Sequence, residues 1–335
     1  MYKRIVYICI KIKTQVNAGF LMMNEKIIAV AGPTASGKSA LALMLCEKYD
    51  CELISLDSMQ IYLGMDIGTA KPTKDEQARV RHHMIDICDP SENFSAAEFC
   101  KAAHEVILGT RARGKRALLC GGTGLYLSSI LGNLDFGEVN TDDDYRRTLA
   151  ALAEQRGSGC LYEMLREIDP EAAEKIHENN VRRVIRALEI YKTTGLTKTE
   201  WDKQAAEKNN PYESVIIALD YRERAVLYNR INERVDAMIE QGLEDEVASL
   251  IAGGYLGEDT TAGQAIGYKE MRECITGKIS LEEAVEQIKL GTRRYAKRQL
   301  TWLRRMDGIN WLYPDECKTQ EELFERATDI IDNNL

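Results

Sequence analysis

The sequence predicts an α/β fold: a mainly parallel sheet covered by helices, carrying an all-helical insertion. Three observations predict it. Short, wholly apolar runs recur with helix-length segments between them. A glycine-rich turn joins the first run to the first helix. One interval between runs, 141–210, is too long for a single crossover and reads as helix. Apolar strands alternating with helices indicate a parallel sheet buried on both faces.

The elements follow in order. IIAVA (27–31) is the first strand; Gly32 and Pro33 end it, and ALALMLCEKY reads as a helix. ELISLD (52–57) is a second strand ending in an acid, RALLCGG (116–122) a third closed by two glycines, VIIALDY (215–221) a fourth, and INWLY (309–313) a fifth. Within 141–210, the segments DDDYRRTLAALAEQ, LYEMLREIDPEAAEKI and VRRVIRALEIYKTT each read as one helix. Asp142, Asp143 and Asp144 suit the first helix N-terminus electrostatically, and Asn209, Asn210 and Pro211 mark the end of the block. The expected division is a core of 24–140 and 211–316, a helical insertion domain of 141–210, and a C-terminal helix in 317–335. Residues 1–22 read as a tail upstream of the true start, because Met22 and Met23 directly precede the first convincing strand. Lys11 and Lys13 interrupt any signal-peptide core, and no run there approaches the ~18 apolar residues of a membrane span.

Composition sets the outer limits. The 335 residues suggest two domains' worth of chain at about 150 residues each. A chain 44% hydrophobic and 29% charged is neither disordered nor collagen-like. Six prolines leave room for long, unbroken helices. A net charge of −9, from 44 basic and 53 acidic residues, argues against nucleic-acid binding by the surface as a whole. Nine cysteines, an odd number with no Cys-x-x-Cys pair, fit neither a disulfide framework nor a zinc module. They read as free thiols in a reducing cytoplasm. His82 and His83 read as fold-supporting, since no third metal ligand has suitable spacing.

The chemistry begins at Gly32-Pro33-Thr34-Ala35-Ser36-Gly37-Lys38-Ser39. This fits G-x-x-x-x-G-K-[ST] between a strand and a helix, the context that gives the pattern meaning. It makes the core a P-loop core and implies a di- or triphosphate or nucleotide ligand such as ATP. Gly32 and Gly37 let successive N–H groups converge on one anion, and the following helix adds its positive end. Lys38 offers a point charge, and Ser39 a hydroxyl for Mg2+. The loop does not fix the reaction: hydrolysis, phosphoryl transfer and displacement of diphosphate from carbon all fit. The third strand ends Cys120-Gly121-Gly122-Thr123 rather than in a magnesium-binding Asp, which tells against an ordinary ATPase. Asp57, at the carboxyl end of the second strand, faces the ligand crevice. It suits a general base acting beside the phosphates, and equally an outer magnesium ligand or a helix cap.

With GPTASGKS stand LDSMQIYLGMDIGTAKPT (56–73), HHMIDICDPSENFSAAEF (82–99), CGGTGLYL (120–127), QAIGYKE (264–270) and AKRQLTWLRR (296–305). On these blocks, in this order from about 25 to 314, the chain resembles the tRNA dimethylallyltransferases, also called tRNA isopentenyltransferases. The resemblance implies transfer of a dimethylallyl group from dimethylallyl diphosphate to the exocyclic N6 of the adenosine at tRNA position 37, just 3′ of the anticodon. Asp57 matches the family's catalytic base, and Thr123 its contact near the reacting centre. Arg234 matches a basic residue at the diphosphate; a solvated pairing with Glu233 is the alternative. The tRNA contacts implied are Asp57, Ser58, Met59 and Gln60; Thr123 and Arg146; Arg182, Arg183 and Arg186; Gln264, Ala265, Ile266, Gly267, Tyr268 and Lys269; and Lys297, Arg298, Gln299, Trp302 and Arg304. Met59 and Gln60, beside the base, are candidates to cradle a flipped adenine. Gln264 stands where some members have Arg. Some eukaryotic members carry an added C-terminal zinc finger; no such spacing occurs here, and no zinc is expected.

The basic residues independently point to nucleic acid. Arg293, Arg294, Lys297, Arg298, Arg304 and Arg305 lie in 293–305 with no acid among them, and Arg182, Arg183 and Arg186 form a second cluster. Such clusters are the usual electrostatic footprint of nucleic-acid binding, although a charge run is also commonly a solvated face. The expected partners are the tRNA anticodon stem-loop and dimethylallyl diphosphate, with no membrane, in a cytoplasmic monomer. A small-molecule P-loop kinase using ATP is the alternative enzyme and leaves the 293–305 cluster unexplained. An RNA-binding protein with a vestigial loop conflicts with intact Lys38, Ser39 and Asp57. A free-adenylate prenyltransferase should lack the basic C-terminal helix.

Overall fold

In a computed structural model of the chain, residues 26–131, 142–207 and 212–335 are described. The tail 1–22, Cys9 and the insertion boundaries at 140/141 and Asn209–Pro211 lie outside the described residues.

Six strands form one all-parallel sheet: β1 (Ile27–Ala31), β2 (Cys51–Ser55), β3 (His82–His83), β4 (Arg116–Gly121), β5 (Ser214–Leu219) and β6 (Ile309–Leu312). Their spatial order is β3-β2-β4-β1-β5-β6, so β1 is central, flanked by β4 and β5. The five expected strands are present, each within two residues of its expected ends. β3 was not expected; two residues carry no readable period. Asp57 falls two residues beyond β2 rather than within it.

Alternation along β1 divides the core. Ile28 and Val30 pack with Leu41 and Leu45 of α1 (Lys38–Tyr49) and with Leu323 and Ile331 of α14 (Gln320–Asp332). Ile27, Ala29 and Ala31 face the other side. There they meet α3 (Ala96–Ala112), α4 (Gly124–Leu131), α10 (Arg224–Glu240), α11 (Leu243–Ala252), α12 (Tyr268–Ile275) and α13 (Leu281–Leu303). A short α2 spans Lys74–Arg79. α13, at 23 residues, fulfils the expectation of long helices. Its start is defined by a capping box, Ser280 accepting from Glu283 N while the Glu283 carboxylate accepts from Ser280 N.

Five helices occupy 143–207: α5 (Asp143–Arg156), α6 (Ser158–Ile168), α7 (Pro170–Lys175), α8 (Val181–Thr194) and α9 (Lys198–Glu207). α5 to α8 surround their own apolar cluster, with Leu149, Leu161, Leu165, Val184 and Leu188 buried. Asp142 caps α5 through Tyr145 N. The segment expected as one helix, LYEMLREIDPEAAEKI, splits into α6 and α7 at Asp169-Pro170. Proline at the first position of α7 has no N–H to continue α6, and buried Asp169 caps the new helix through Ala172 N.

Cys46, Cys51, Cys88, Cys100 and Cys120 are buried free thiols, while Cys160, Cys274 and Cys317 are half-buried ones. His83 bonds the carboxylate of Glu52 at 2.6 Å, and His82 bonds Val80 O, consistent with fold-supporting roles. Tyr126 is buried and stacked on Phe99.

Candidate active site

The glycine-rich loop curls at the carboxyl end of β1. Gly37 has φ +89° and Ala35 φ +61°, and α1 begins at Lys38. Gly32 is required by close approach: a Cβ there would lie 2.8 Å from Ser36 Oγ and 3.2 Å from Leu219 O. Three distant side chains hold the loop from outside. Thr34 N donates to Gln299 Oε1 at 2.9 Å, Arg230 Nε donates to Ala35 O at 3.0 Å, and the Tyr221 hydroxyl donates to Ser36 O at 3.3 Å. Sequence reasoning missed Tyr221 and Arg230, which carry no motif and lie far away in the chain.

Two cavities meet at this loop. The larger, about 860 Å3, is walled by Lys38, Ser39, Asp57–Gln60, Arg234, Gln264–Gly267, Tyr295, Arg298 and Gln299. The smaller, about 360 Å3, lies between Ala35–Ala40 of the loop and Arg230, Glu233 and Arg234. Lys38, Ser39, Ala40 and Arg234 line both, so the cations stand where the two spaces join. Tyr295 is a further wall residue that no motif announced.

Asp57 closes a turn: its Oδ1 accepts from Met59 N at 2.8 Å and Gln60 N at 3.3 Å. Asp57 thus closes a turn rather than capping a helix as expected, since the next helix begins only at Lys74, and the residue lines the large cavity. Burial holds the Lys38 amine below its ordinary value, reinforced by Arg234 and opposed by Cys120 and Asp57. Burial likewise lowers the Arg234 guanidinium, and Asp57 opposes it. Arg234 thus faces the cavities rather than the solvated pairing with Glu233. Lys38 Nζ donates to Pro33 O at 3.1 Å.

The loop after Asp57 is clamped. Glu246 accepts from the N–H groups of Asp66, Ile67 and Gly68 and from the Tyr268 hydroxyl. Lys71, its side chain 3% exposed, bonds Tyr62 O, Asp66 and Asp86. Neither Glu246 nor Lys71 was singled out in the sequence.

Several expected RNA contacts are committed inside the protein. Tyr268 is fully buried against Gly68, with its hydroxyl on Glu246. Gln299 is buried against Gly122 and holds Thr34. Trp302 packs on Gly124 and donates its indole N–H to Ser128 Oγ at 2.8 Å. The Gln60 amide bonds Ser55, Thr69 O and Ala70 O rather than offering itself to a base. These side chains are apolar or amide-bearing residues on faces that tertiary packing covers, which a linear block does not reveal. Thr123 stands behind the wall: its buried hydroxyl has no partner in hydrogen-bond geometry, with the Tyr295 phenol nearby. Arg146 and Arg186 converge on buried Glu189, Lys269 pairs with Glu270, and Arg304 bonds buried Asp220. Arg182, Arg183, Lys297 and Arg298 are exposed.

For a divalent cation, the cavity wall offers the Ser39 hydroxyl and the Asp57 carboxylate. Few, hard oxygen donors beside a phosphate site suit Mg2+, which takes its remaining ligands from phosphate and water.

A parallel α/β sheet with a glycine-bearing loop and two cations at its carboxyl edge, opening into a cavity beside a carboxylate, is the layout of an α/β enzyme with its site at the strand ends. The comparisons make this specific. The IPP transferase family profile matches residues 60–306. A tRNA dimethylallyltransferase of Caldanaerobacter subterraneus subsp. tengcongensis is 48% identical over 314 residues, covering 93% of this chain and 99% of that one. The crystal structure of a tRNA isopentenylpyrophosphate transferase from Bacillus halodurans is similar with a TM-score of 0.68 at 45% identity, over 92% and 96% of the two chains. A eukaryotic dimethylallyltransferase captured acting on tRNA is similar with a TM-score of 0.81 at 30% identity, over 93% and 81%. The chain belongs to the tRNA dimethylallyltransferase family.

Proposed function

We propose that this chain transfers a dimethylallyl group from dimethylallyl diphosphate to N6 of the adenosine at tRNA position 37, releasing diphosphate. The observation that carries the reading is one cavity wall holding a carboxylate, Asp57, beside two half-buried cations, Lys38 and Arg234. An adenine amine is a weak nucleophile because its lone pair is delocalised. As the new C–N bond forms and the C–O bond to diphosphate breaks, the N6 proton goes to the Asp57 carboxylate. The loop N–H groups, Lys38 and Arg234 receive the charge developing on the leaving diphosphate. Ser39 would hold Mg2+, which when bound supplies further positive charge to the diphosphate oxygens. The buried Thr123 hydroxyl, beside the Tyr295 phenol, stands behind the reacting centre. The exposed arginines of α8 and α13 supply the RNA-facing charge. We place the protein in the cytoplasm as a monomer, with 143–207 as a separate helical domain.

Labelled dimethylallyl diphosphate, magnesium and unmodified tRNA test this directly. Label should enter the tRNA, and Asp57→Ala should lose about 100-fold or more in kcat, the ordinary scale of general-base catalysis, while tRNA affinity stays within about threefold. Phosphate transfer from ATP without labelled tRNA would establish the kinase instead.

A further inference from the structure

Gln299 sits on α13 one position beyond Arg298, yet it is 5% exposed and points into the protein. Its Oε1 accepts from Thr34 N at 2.9 Å, across 265 residues of chain. The space it occupies exists because residue 122 is glycine: a Cβ there would lie 2.0 Å from Gln299 Nε2 and 2.8 Å from Gly32 O. On the same helix, Thr292, Tyr295, Arg298 and part of Gln299 itself line the large cavity. One helix thus carries cavity-wall residues and an internal arm to the phosphate loop.

We propose that Gln299 is a positioning residue that sets the phosphate loop's shape before ligand arrives, by turning the Thr34 N–H away from the anion and fixing it to α13. The proposal rests on the diphosphate reading above and goes beyond it. An apolar side chain of the same size would fill the space but leave the Thr34 N–H without a partner. The loop would then have to be ordered by its ligand, at a cost in affinity. Because the arm's hydrogen bond is made to the loop, its loss should fall first on the diphosphate.

The test uses the full chain and Gln299→Met, with inorganic pyrophosphate as the calorimetric probe. Pyrophosphate Kd and the KM for dimethylallyl diphosphate should each rise about tenfold, the scale of one hydrogen bond at the top of its usual range. The KM for tRNA should shift by less than the KM for dimethylallyl diphosphate. Hydrogen exchange should accelerate in the peptide spanning 32–39 and nowhere else in the sheet. Gln299→Glu keeps an acceptor oxygen and should keep that peptide protected. Unchanged pyrophosphate Kd and unchanged loop exchange in Gln299→Met overturn the proposal. A raised KM for tRNA with unchanged pyrophosphate Kd also overturns it, making Gln299 an RNA contact. If the unaltered protein bound no pyrophosphate, the diphosphate reading would fail, whereas the exchange experiment would still decide what holds the loop.

Discussion

Asp57 and Lys38 show how single residues carry both structure and chemistry. Asp57 closes its own turn with Oδ1, accepting from Met59 N and Gln60 N, while the residue also lines the large cavity. Lys38 makes a sharper prediction. Burial depresses its amine from the ordinary 10.5, and only the protonated form attracts diphosphate. As pH rises through the depressed value the amine loses its proton, so pyrophosphate affinity should fall at a pH below 10.5. Lys38→Arg, which stays protonated, should remove that alkaline limb. A limb that persisted unchanged in the arginine variant would assign it elsewhere.

At the scale of elements, the CGGTG block is a docking strip for α13 as much as a site motif. Gly122 admits Gln299, and Gly124 admits Trp302, whose Cδ1 would lie 2.2 Å from an added Cβ. Gly124→Ala should displace the indole and its bond to Ser128, costing about 2–3 kcal/mol in chemical denaturation by overpacking and a lost hydrogen bond. Gly159, with open space around it on α6, is the control; alanine there should be neutral or stabilising by up to about 1 kcal/mol. Equal losses at both positions would remove the docking argument. A second element-scale link ties β2 to β3 and α3. Glu52 of β2 is buried, which raises a carboxyl, but Arg113 and His83 outweigh this and hold it down from 4.5 to about 2. Its contribution is present above pH 4.5 and is lost as pH falls toward about 2. Glu52→Gln should flatten the stability profile in that window by at most about 3 kcal/mol. An unchanged acid limb would exclude Glu52 as its source. Strands and the loop were legible because apolar runs and glycine spacing are local signals. The partnership of Thr34 with Gln299, and of residues 66–68 with Glu246, was not, because contacts across 265 and about 180 positions leave no local pattern.

At the scale of the whole molecule, net charge is a poor guide and the placement of unpaired charge a better one. The net of −9 argued against nucleic acid, yet acids are used up where they hold cations in place. Glu189 ties Arg146 and Arg186, and Asp220 ties Arg304. These three arginines therefore offer less to RNA than their sequence clusters implied, and Arg186→Ala should act mainly on the stability of the helical segment. Arg182, Arg183, Arg294, Lys297, Arg298 and Arg305 are exposed, with no ion pair to another described residue. Six such cations contacting phosphates would release counterions and give log K for tRNA a slope of about −4 to −5 against log salt. The slope is the measurement that separates this arrangement from a solvated face. Arg182→Ala with Arg183→Ala should make it shallower by about 1.5, because two contacts are removed. Asp57→Ala, which changes charge in the cavity wall and not on these helices, should leave it unchanged. A flat salt dependence in the unaltered chain would mean that tRNA is held without these helices, and the basic faces of α8 and α13 would then be solvent surface.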